Sequence, residues 1–364
     1  MKFLLLTLEY FPFKGGVANY YTNLAYYWPK NSQLSVLNNN NNELLRKKGI
    51  IRWSKTIFKL YHQVKKNQIN YIIVGHILPL GTATYIISKL FKIKYAVVLH
   101  GMDFSLATKN YYKKTLSRLI LNRADKIISA NSYTSKLITD FIKDNNKVKV
   151  INPGVKDFSN FNCDNNESIR YKNGLTDYKI LFSLGRLVKR KGFDYVIKAL
   201  KEILNKRPDF DLLYIIAGQG PDFNYLKQVA YEELGPNWEK YIKFVGEVSE
   251  SEKWSLLSCC DIFIMPSRNI LGDFEGFGIV YLEANLASKA VIAGRSGGVS
   301  DAVESGVNGL LVNPENIGEI SQAILSLLDK DFLRLKLGQL GRERALKDFS
   351  WKHQIELMYN FLIK

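Results

Sequence analysis

The chain has 364 residues, of which 46% are hydrophobic and 13% aromatic, and it carries a formal net charge of +17. This length exceeds what one hydrophobic core usually serves, so we expect two α/β domains of roughly 150 to 200 residues each. The composition excludes a disordered or fibrous protein. No segment approaches the roughly 18 apolar residues that a membrane-spanning helix requires.

The positive charge is confined to the first part of the chain. Residues 1–150 carry 24 Lys and Arg against 6 Asp and Glu, a net charge of +18, whereas residues 151–364 carry 27 against 28, a net charge of −1. Such a one-sided field suits an anionic membrane surface, a nucleic acid or an acidic acceptor. Charge alone leaves these three partners open.

Cysteine usage and the N-terminus both point to the cytoplasm. Cys163 and the adjacent Cys259 and Cys260 form no disulfide framework and lack the paired spacing of a zinc site, so we expect a reducing compartment and no bound metal. The first apolar run is too short for a signal peptide, and Glu9 interrupts it. We therefore expect a cytoplasmic protein, with peripheral attachment to the cytoplasmic face of the inner membrane as an open alternative.

Short aliphatic runs alternate with amphipathic stretches throughout the first part, as in βαβ units with a parallel sheet. Strands are predicted at KFLLLTL, NYIIVG, KYAVVLH and KIISA, with helices beginning near Val17, Pro79 and Tyr133. A second series of strands follows at YKILFSLG, DLLYIIAG, YIKFVG, DIFIMP, KAVIAG and GLLV. The sequence thus predicts two similar sheets, each in its own Rossmann-like domain.

Two further stretches in the first part, 55–66 and 109–123, are basic and amphipathic. Their predicted apolar faces consist of Ile57, Leu60, Tyr61 and Val64 in the first and of Tyr112, Leu116, Leu119 and Ile120 in the second. Each is either an ordinary helix that covers the sheet or a surface that docks on anionic lipid. The pattern favours neither interpretation.

A polar, Asn-rich stretch marks the predicted domain boundary. We predict an N-terminal Rossmann-like domain at 1–155, a linker at 156–176 and a C-terminal Rossmann-like domain at 177–348. A last helix at 349–364 is able to pack back on the first domain.

The segment FEGFGIVYLEA predicts an anion site. Its two glycines allow a ligand to approach the backbone closely, and a helix is predicted to begin at Ile279 with unpaired N–H groups and a positive dipole end facing the loop. The backbone expected at the ligand is that of Gly276, Phe277, Gly278 and Ile279.

Two carboxylates flank that loop. Glu275 and Glu283 are eight residues apart, at most about 12 Å along a helix. Carboxylates repel phosphate, so we expect them to accept hydrogen bonds from hydroxyl groups. Solvated acids at a helix start are the alternative.

The segment SLGRLVKRKG offers cations at the end of another strand. Gly185 begins the turn, and Arg186 and Lys191 follow within it. A guanidinium grips phosphate oxygens in a fork while an ammonium acts as a point charge, so the two side chains would neutralise a leaving diphosphate.

The first domain contributes residues at the carboxyl ends of its strands, where open α/β sheets bind ligands. Gly15 and Gly16 follow the first strand and are predicted to contact phosphate, with a simple turn as the alternative. His100 ends the third predicted strand, and a structural histidine is equally compatible with the pattern.

Together these motifs resemble the family 4 retaining glycosyltransferases of GT-B fold, in which two Rossmann-like domains face a central cleft. The residues that carry the resemblance are GG at 15–16, His100, SLGRLVKRKG, AGQGP at 217–221, EGFGIVYLE and SGG at 296–298. The resemblance implies that Arg186 and Lys191 bind the diphosphate, Glu283 the ribose and Glu275 the donor sugar. It places His100 against the transferred sugar or the attacking hydroxyl.

The reaction implied is a metal-independent hexosyl transfer with retention, assisted by the departing phosphate and needing no cofactor. The resemblance leans towards mannosyltransferases with lipid-linked acceptors, and hence to GDP-mannose, with a UDP-sugar as the alternative donor. The expected role is cell-surface polysaccharide or lipopolysaccharide assembly. A sugar-nucleotide epimerase stays open, and so does a nucleic-acid-binding protein, although no recognition motif supports nucleic acid as a partner.

Overall fold

The computed structural model describes residues 1–13, 15–45, 53–156, 170 and 175–364. The chain forms two compact units, one of Met1–Gly154 with Phe349–Lys364 and the other of Val155–Asp348. Each unit contains one six-stranded parallel sheet with flanking helices, which confirms the predicted fold class. Most of the predicted linker at 156–176, including Cys163, lies outside the described residues. No helix within these ranges has both the length and the hydropathy needed to cross a bilayer.

The first unit has the strand order β2-β1-β3-β4-β5-β6. Its strands are β1 (Lys2–Leu6), β2 (Gln33–Leu37), β3 (Tyr71–Val74), β4 (Lys94–Leu99), β5 (Lys126–Ser129) and β6 (Val148–Val150). Its helices are α1 (Gly16–Tyr26), α2 (Ser54–Asn67), α3 (Leu80–Phe91), α4 (Met102–Ala107), α5 (Tyr111–Arg123), α6 (Ser132–Thr139) and, from the C-terminus, α14 (Trp351–Ile363). The sequence pattern does not predict β2 or β6, because these edge strands are only partly buried and lack a continuous apolar run.

Both faces of this sheet are covered, since successive side chains of a strand point to opposite faces. Leu4 and Leu6 of β1 pack in a core with residues of α2 and α3, whereas Phe3 and Leu5 pack with residues of α1 and α14. Helix α14 packs closely against the backbone at Gly154, where a Cβ atom would lie only 2.6 Å from Trp351 Cα. The C-terminal helix therefore completes the core of the first unit.

The inward face of α5 differs from the prediction. Tyr112 is 87% exposed and Leu119 is 51% exposed, so assigning them to the buried face was wrong. Ser117 is buried instead, because its hydroxyl donates to the carbonyl oxygen of Ala107 at 2.9 Å. A polar residue whose hydrogen bond is satisfied can face the core, and apolar periodicity does not register it.

Helix α2 shows the same effect. Tyr61, predicted to face inward, is 38% exposed, whereas Thr56 is fully buried and donates its hydroxyl to Leu44 O at 2.8 Å. Leu60 and Val64 are buried as predicted.

The second unit has the strand order β12-β11-β10-β7-β8-β9, and all six strands are predicted from the sequence. They are β7 (Lys179–Leu184), β8 (Leu212–Ala217), β9 (Ile242–Gly246), β10 (Ile262–Met265), β11 (Ala290–Gly294) and β12 (Gly309–Val312). The helices are α7 (Phe193–Lys206), α8 (Phe223–Leu234), α9 (Glu250–Cys259), α10 (Ile279–Leu286), α11 (Val299–Ala302), α12 (Ile317–Asp329) and α13 (Asp331–Asp348).

Each sheet has one point where the chain reverses its direction of progress across the strands. In the first unit β2 lies on one side of β1 and β3 on the other; in the second unit β8 and β10 flank β7 in the same way. Open α/β sheets bind ligands at the carboxyl ends of the strands at such switch points. The loops after β1, β3, β7 and β10 are therefore where functional side chains are expected.

Candidate active site

The turn after β7 is built on close backbone contact. A Cβ on Gly218, which follows β8, would lie 2.0 Å from the carbonyl oxygen of Gly185, so the AGQGP segment packs directly against this turn. The side chain of Arg186, one residue further on, is exposed and forms no ion pair with any of the described residues. Its guanidinium is accessible to a ligand.

A 3-10 turn at Lys189–Lys191 precedes α7 and faces the loop after β10. Gly192 ends this turn in the left-handed region with φ 76°, and a Cβ there would lie 2.2 Å from Pro266 O. Arg268 N donates to Arg190 O at 2.7 Å and joins the same two loops. Only glycine satisfies both demands at 192, so the basic turn is held in place by backbone geometry.

Glu275 is clasped by two cations in this unit. Its Oε2 accepts hydrogen bonds from Lys191 Nζ at 2.5 Å and from Arg190 Nη1 at 2.7 Å. Burial alone would raise the pKa of Glu275, but Lys191 and Arg190 outweigh that effect and lower it to about 2. The carboxylate is therefore ionised at neutral pH, and its Oε1 accepts no hydrogen bond from the described part of the chain.

Arg190 is a site residue that the sequence reasoning missed. Besides Glu275, it contacts Asp273, with Arg190 Nε 3.1 Å from Asp273 Oδ1. The only local signal is the run of basic residues in KRK, which does not distinguish this arginine from a solvated one. The pairing joins residues 85 positions apart and depends on the adjacency of β7 and β10.

A buried ion pair connects the first turn of α7 to the loop after β10. Arg268 Nη2 donates to Asp194 Oδ2 at 3.0 Å, and both side chains are almost fully buried. The guanidinium of Arg268 also lies 4.6 Å from the ring centroid of Tyr195. Removing one partner of such a pair leaves an uncompensated buried charge, so this contact fixes the relative position of the two loops.

Helix α10 begins directly after a crowded glycine turn. Gly278 precedes the helix with φ 81°, and a Cβ there would lie 2.3 Å from Tyr281 Cε2. The preceding Phe277 is buried, whereas Gly276 and Ile279 are partly exposed. Helix α10 begins at Ile279, as predicted, and the binding of an anion at its N-terminus stays a prediction.

The SGG motif supports Glu275 from the other side. Gly298 N donates to Glu275 O at 2.9 Å, and Gly297 adopts φ 56° with a hypothetical Cβ 2.5 Å from the same oxygen. Glycine at 297 thus permits the backbone contact that positions Glu275.

Glu283 lies on α10 and is paired with Lys253 of α9. Lys253 Nζ donates to Glu283 Oε1 at 2.8 Å and also pairs with Glu250 at 2.7 Å. The second oxygen of Glu283 accepts no hydrogen bond from any described residue. The contact between Lys253 and Glu283 is another one that the local sequence pattern does not predict.

The first unit holds a separate group of polar residues at its carboxyl edge. Gly15 adopts φ 143° immediately before α1, and Glu9 Oε2 lies 4.0 Å from where its Cβ would be. No Cβ contact restricts Gly16, which begins α1. His100 follows β4, and its Nε2 lies 2.9 Å from the hydroxyl oxygen of Tyr21.

Three titratable groups at this edge depart from their usual pKa values. Burial lowers the pKa of His100 to about 3, with His76 as a second cause, and burial lowers that of His76 to about 4. Burial raises the pKa of Asp103 to about 6, opposed by hydrogen bonds from Gly101 N and His100 N. The two imidazoles are therefore neutral at pH 7.

Two doubly wound α/β units, one with clustered cations beside a helix N-terminus, define a protein of the GT-B class. The sequence model of the glycosyl transferases group 1 matches residues 165–344, and that of glycosyltransferase family 4 matches residues 14–157. Together they cover most of the chain. The protein belongs to the family 4 glycosyltransferases of GT-B fold.

Similar proteins match from 66% to 97% of the chain. An uncharacterized glycosyltransferase of Methanocaldococcus jannaschii is 28% identical over 97% of this chain and 95% of its own length. A GDP-mannose-dependent monoacylated alpha-(1-6)-phosphatidylinositol monomannoside mannosyltransferase of Corynebacterium glutamicum is 28% identical over 86% of this chain and 83% of its own length. A GDP-mannose-dependent alpha-(1-6)-phosphatidylinositol monomannoside mannosyltransferase of Mycolicibacterium smegmatis is 32% identical over 66% of this chain and 62% of its own.

Among solved structures, Anabaena HepE in complex with UDP aligns over the full length of both chains with a TM-score of 0.81. At 18% identity this similarity shows the fold. The matches give no support to the epimerase or nucleic-acid alternatives.

Proposed function

We propose that the protein transfers a hexose, with mannose favoured, from a nucleoside diphosphate sugar to a glycan or glycolipid acceptor. The observation that carries this proposal is the ionised, largely buried Glu275, which Lys191 and Arg190 both contact beside the N-terminus of α10. Carboxylate oxygens that face a ligand suit sugar hydroxyls, and the N–H groups of α10 suit a diphosphate. The names of the Corynebacterium and Mycolicibacterium relatives support GDP-mannose as the donor.

In this proposal the diphosphate is bound by Arg186 and Lys191. Arg186 is already exposed, whereas Lys191 shares its ammonium group with Glu275. Because Arg190 also holds Glu275, Lys191 can turn one of its donors to phosphate without leaving the carboxylate unpaired. The remaining oxygen of Glu283 is assigned to the ribose, and the backbone at Gly15 and Gly16 to the phosphates.

The proposed reaction is metal-independent and retains the anomeric configuration. Fixed cations stabilise the charge that develops on the leaving diphosphate, the role that preorganised donors fill in many transferases. The departing phosphate accepts the proton of the attacking hydroxyl, and no protein nucleophile is required.

The acceptor side of the proposal rests on the basic first unit. Helix α5 exposes Tyr111 and Tyr112 together with Lys113, Lys114 and Arg118. Exposed aromatic rings next to basic side chains suit the headgroup level of an anionic bilayer. We infer a peripheral enzyme on the cytoplasmic membrane face that acts on a lipid-linked acceptor in cell-surface polysaccharide or lipopolysaccharide assembly.

The decisive experiment incubates the purified protein with GDP-mannose and, separately, with UDP-glucose and UDP-N-acetylglucosamine, in the presence of a chelator. Release of GDP and transfer of mannose to a glycolipid extract, with the anomeric configuration of the product read by NMR, would support the proposal. Release of UDP only would show that the donor is a UDP-sugar and not GDP-mannose. A strict metal requirement, or formation of an epimer without transfer, would overturn the mechanism.

A further inference from the structure

Tyr21 and His100 form a hydrogen-bonded pair at the carboxyl edge of the first sheet. Tyr21 lies on α1 and is fully buried, whereas His100 follows β4 and is partly exposed. The Tyr21 hydroxyl lies 2.8 Å from Gly75 O and 2.9 Å from His100 Nε2. The two side chains are 79 positions apart in sequence, so only the folded sheet brings them together.

The hydrogen positions in this pair follow from counting donors. A tyrosine hydroxyl carries one hydrogen, and a backbone carbonyl oxygen can only accept. The contact with Gly75 therefore uses the Tyr21 hydrogen. The remaining contact is a hydrogen bond only when His100 Nε2 carries the hydrogen and donates to the Tyr21 oxygen. A neutral imidazole protonated at Nε2 has an unprotonated Nδ1.

We infer that Tyr21 is a positioning residue that holds His100 as the Nε2-protonated tautomer, leaving Nδ1 to accept a hydrogen bond from a substrate hydroxyl. This inference rests on the proposed function only for the identity of that hydroxyl, which belongs to the transferred sugar or to the acceptor. His100 Nδ1 accepts no hydrogen bond within the described ranges of the chain, which leaves it available to substrate. The imidazole orients the hydroxyl and takes no proton in the reaction.

The surroundings keep the pair in one arrangement. A Cβ on Gly75 would lie 2.5 Å from Tyr21 Cζ, so only glycine leaves room for the ring. The backbone of His100 is fixed by its N–H, which donates to Asp103 Oδ1 at 3.0 Å. The ring of Tyr20 packs edge-on against the His100 ring at 4.8 Å.

The charge state agrees with this role. Burial, and next the neighbouring His76, lower the pKa of His100 to about 3, and burial first of all raises that of Tyr21. Asp103 and Glu9 are the acidic groups that act on Tyr21. An imidazole that stays neutral accepts a hydroxyl hydrogen and does not act as a phosphate-binding cation.

The test combines NMR with matched variants. The four histidines of the ¹⁵N-histidine-labelled protein are resolved at pH 7 by two-bond ¹H–¹⁵N correlation, and His100→Gln assigns the His100 signals. The expected wild-type pattern is Nε2–H with an unprotonated Nδ1. In Tyr21→Phe the Nδ1–H form should appear and kcat/KM should fall about 10-fold, as when other orienting partners of a functional imidazole are removed.

Tyr20→Phe is the matched control. It removes the hydroxyl of an equally buried tyrosine on the same helix, and that hydroxyl has no hydrogen-bond partner in the described structure. It should preserve both the tautomer and the activity, and an equal loss in both variants would overturn the role of Tyr21. An Nδ1-protonated His100 in the wild type, or an unchanged tautomer in Tyr21→Phe, would also overturn it. If the wild type shows the expected tautomer but His100→Gln keeps full activity, His100 has no role in the proposed function.

Discussion

The ligand-binding edges of the two units use opposite electrostatics. In the second unit a largely buried carboxylate, Glu275, stays charged because two cations contact it, whereas in the first unit the partly exposed His100 stays neutral. The net charges also differ, since the first 150 residues carry +18 and residues 151–364 carry −1. Excess positive charge therefore belongs to the first unit, whereas the charges of the second part of the chain nearly balance. Clustered cations suit phosphate recognition, and a neutral imidazole suits recognition of a hydroxyl group.

The largest expected effect comes from removing the negative charge at the centre of the second unit's site. Glu275→Gln leaves Lys191 and Arg190 without their shared carboxylate and removes the expected sugar ligand. We expect kcat/KM to fall about 10³-fold, near the upper end of the loss that follows removal of one preorganised group of an active site. Glu315→Gln, at an exposed position of the same unit, is the control. Activity within tenfold of wild type would contradict the assignment of Glu275.

Arg186→Met tests the exposed cation of the same edge. Removing one preorganised donor to developing charge typically reduces kcat by about 10²–10³-fold, and we expect a loss near the lower end. The thermal midpoint should not change, because the side chain is exposed. Lys189→Met, an exposed cation of the same segment, should remain near wild type; equal losses in the two variants would indicate a general field and not a phosphate contact.

The basic surface of the first unit is tested with vesicles. Lys113→Gln combined with Lys114→Gln should weaken binding to phosphatidylglycerol vesicles by about 2 kcal/mol, at roughly 1 kcal/mol per basic residue near the surface. Co-sedimentation at low and high salt measures this loss, which should disappear at high salt. Lys336→Gln with Lys347→Gln, exposed on α13, serves as the matched pair in the other unit. If both pairs behave alike, the two units do not differ as membrane surfaces.

Arg190→Met should give the smallest effect, and it sharpens the comparison of the two units most. Because Lys191 continues to hold Glu275, we expect kcat/KM to fall about 10-fold. This loss corresponds to one hydrogen bond to a charged group. The pKa of Glu275, now about 2 against an ordinary 4.5, should rise, and the acidic limb of the pH–activity profile should move to higher pH. An unmoved limb would show that Arg190 does not act through Glu275.

The pH dependence of stability follows from the same carboxylate. Because its pKa is lowered on folding, ionised Glu275 stabilises the fold fully above pH 4.5, and this contribution is lost as the pH falls towards 2. The acid unfolding midpoint of Arg190→Met should therefore lie at a higher pH than that of the wild type. Circular dichroism across this range measures the shift, and coincident curves would contradict it.

The amino-acid sequence by itself determined the two sheets, all six strands of the second unit and the glycine at 278. These features are local, because a buried parallel strand is a continuous apolar run and a strained or crowded backbone position requires glycine. The motif residues Arg186, Lys191 and Glu275 are likewise readable from short segments.

Only the tertiary structure decided which side chains meet. Arg190 reaches Glu275 across 85 positions and Tyr21 reaches His100 across 79, because adjacent parallel strands deliver distant loops to one edge. The tertiary structure also decided which faces of α2 and α5 are buried, since Thr56 and Ser117 face inward and donate hydrogen bonds to backbone carbonyls. Hydrogen-bond partners and charge pairs are properties of the packed chain, and no periodicity in the sequence encodes them.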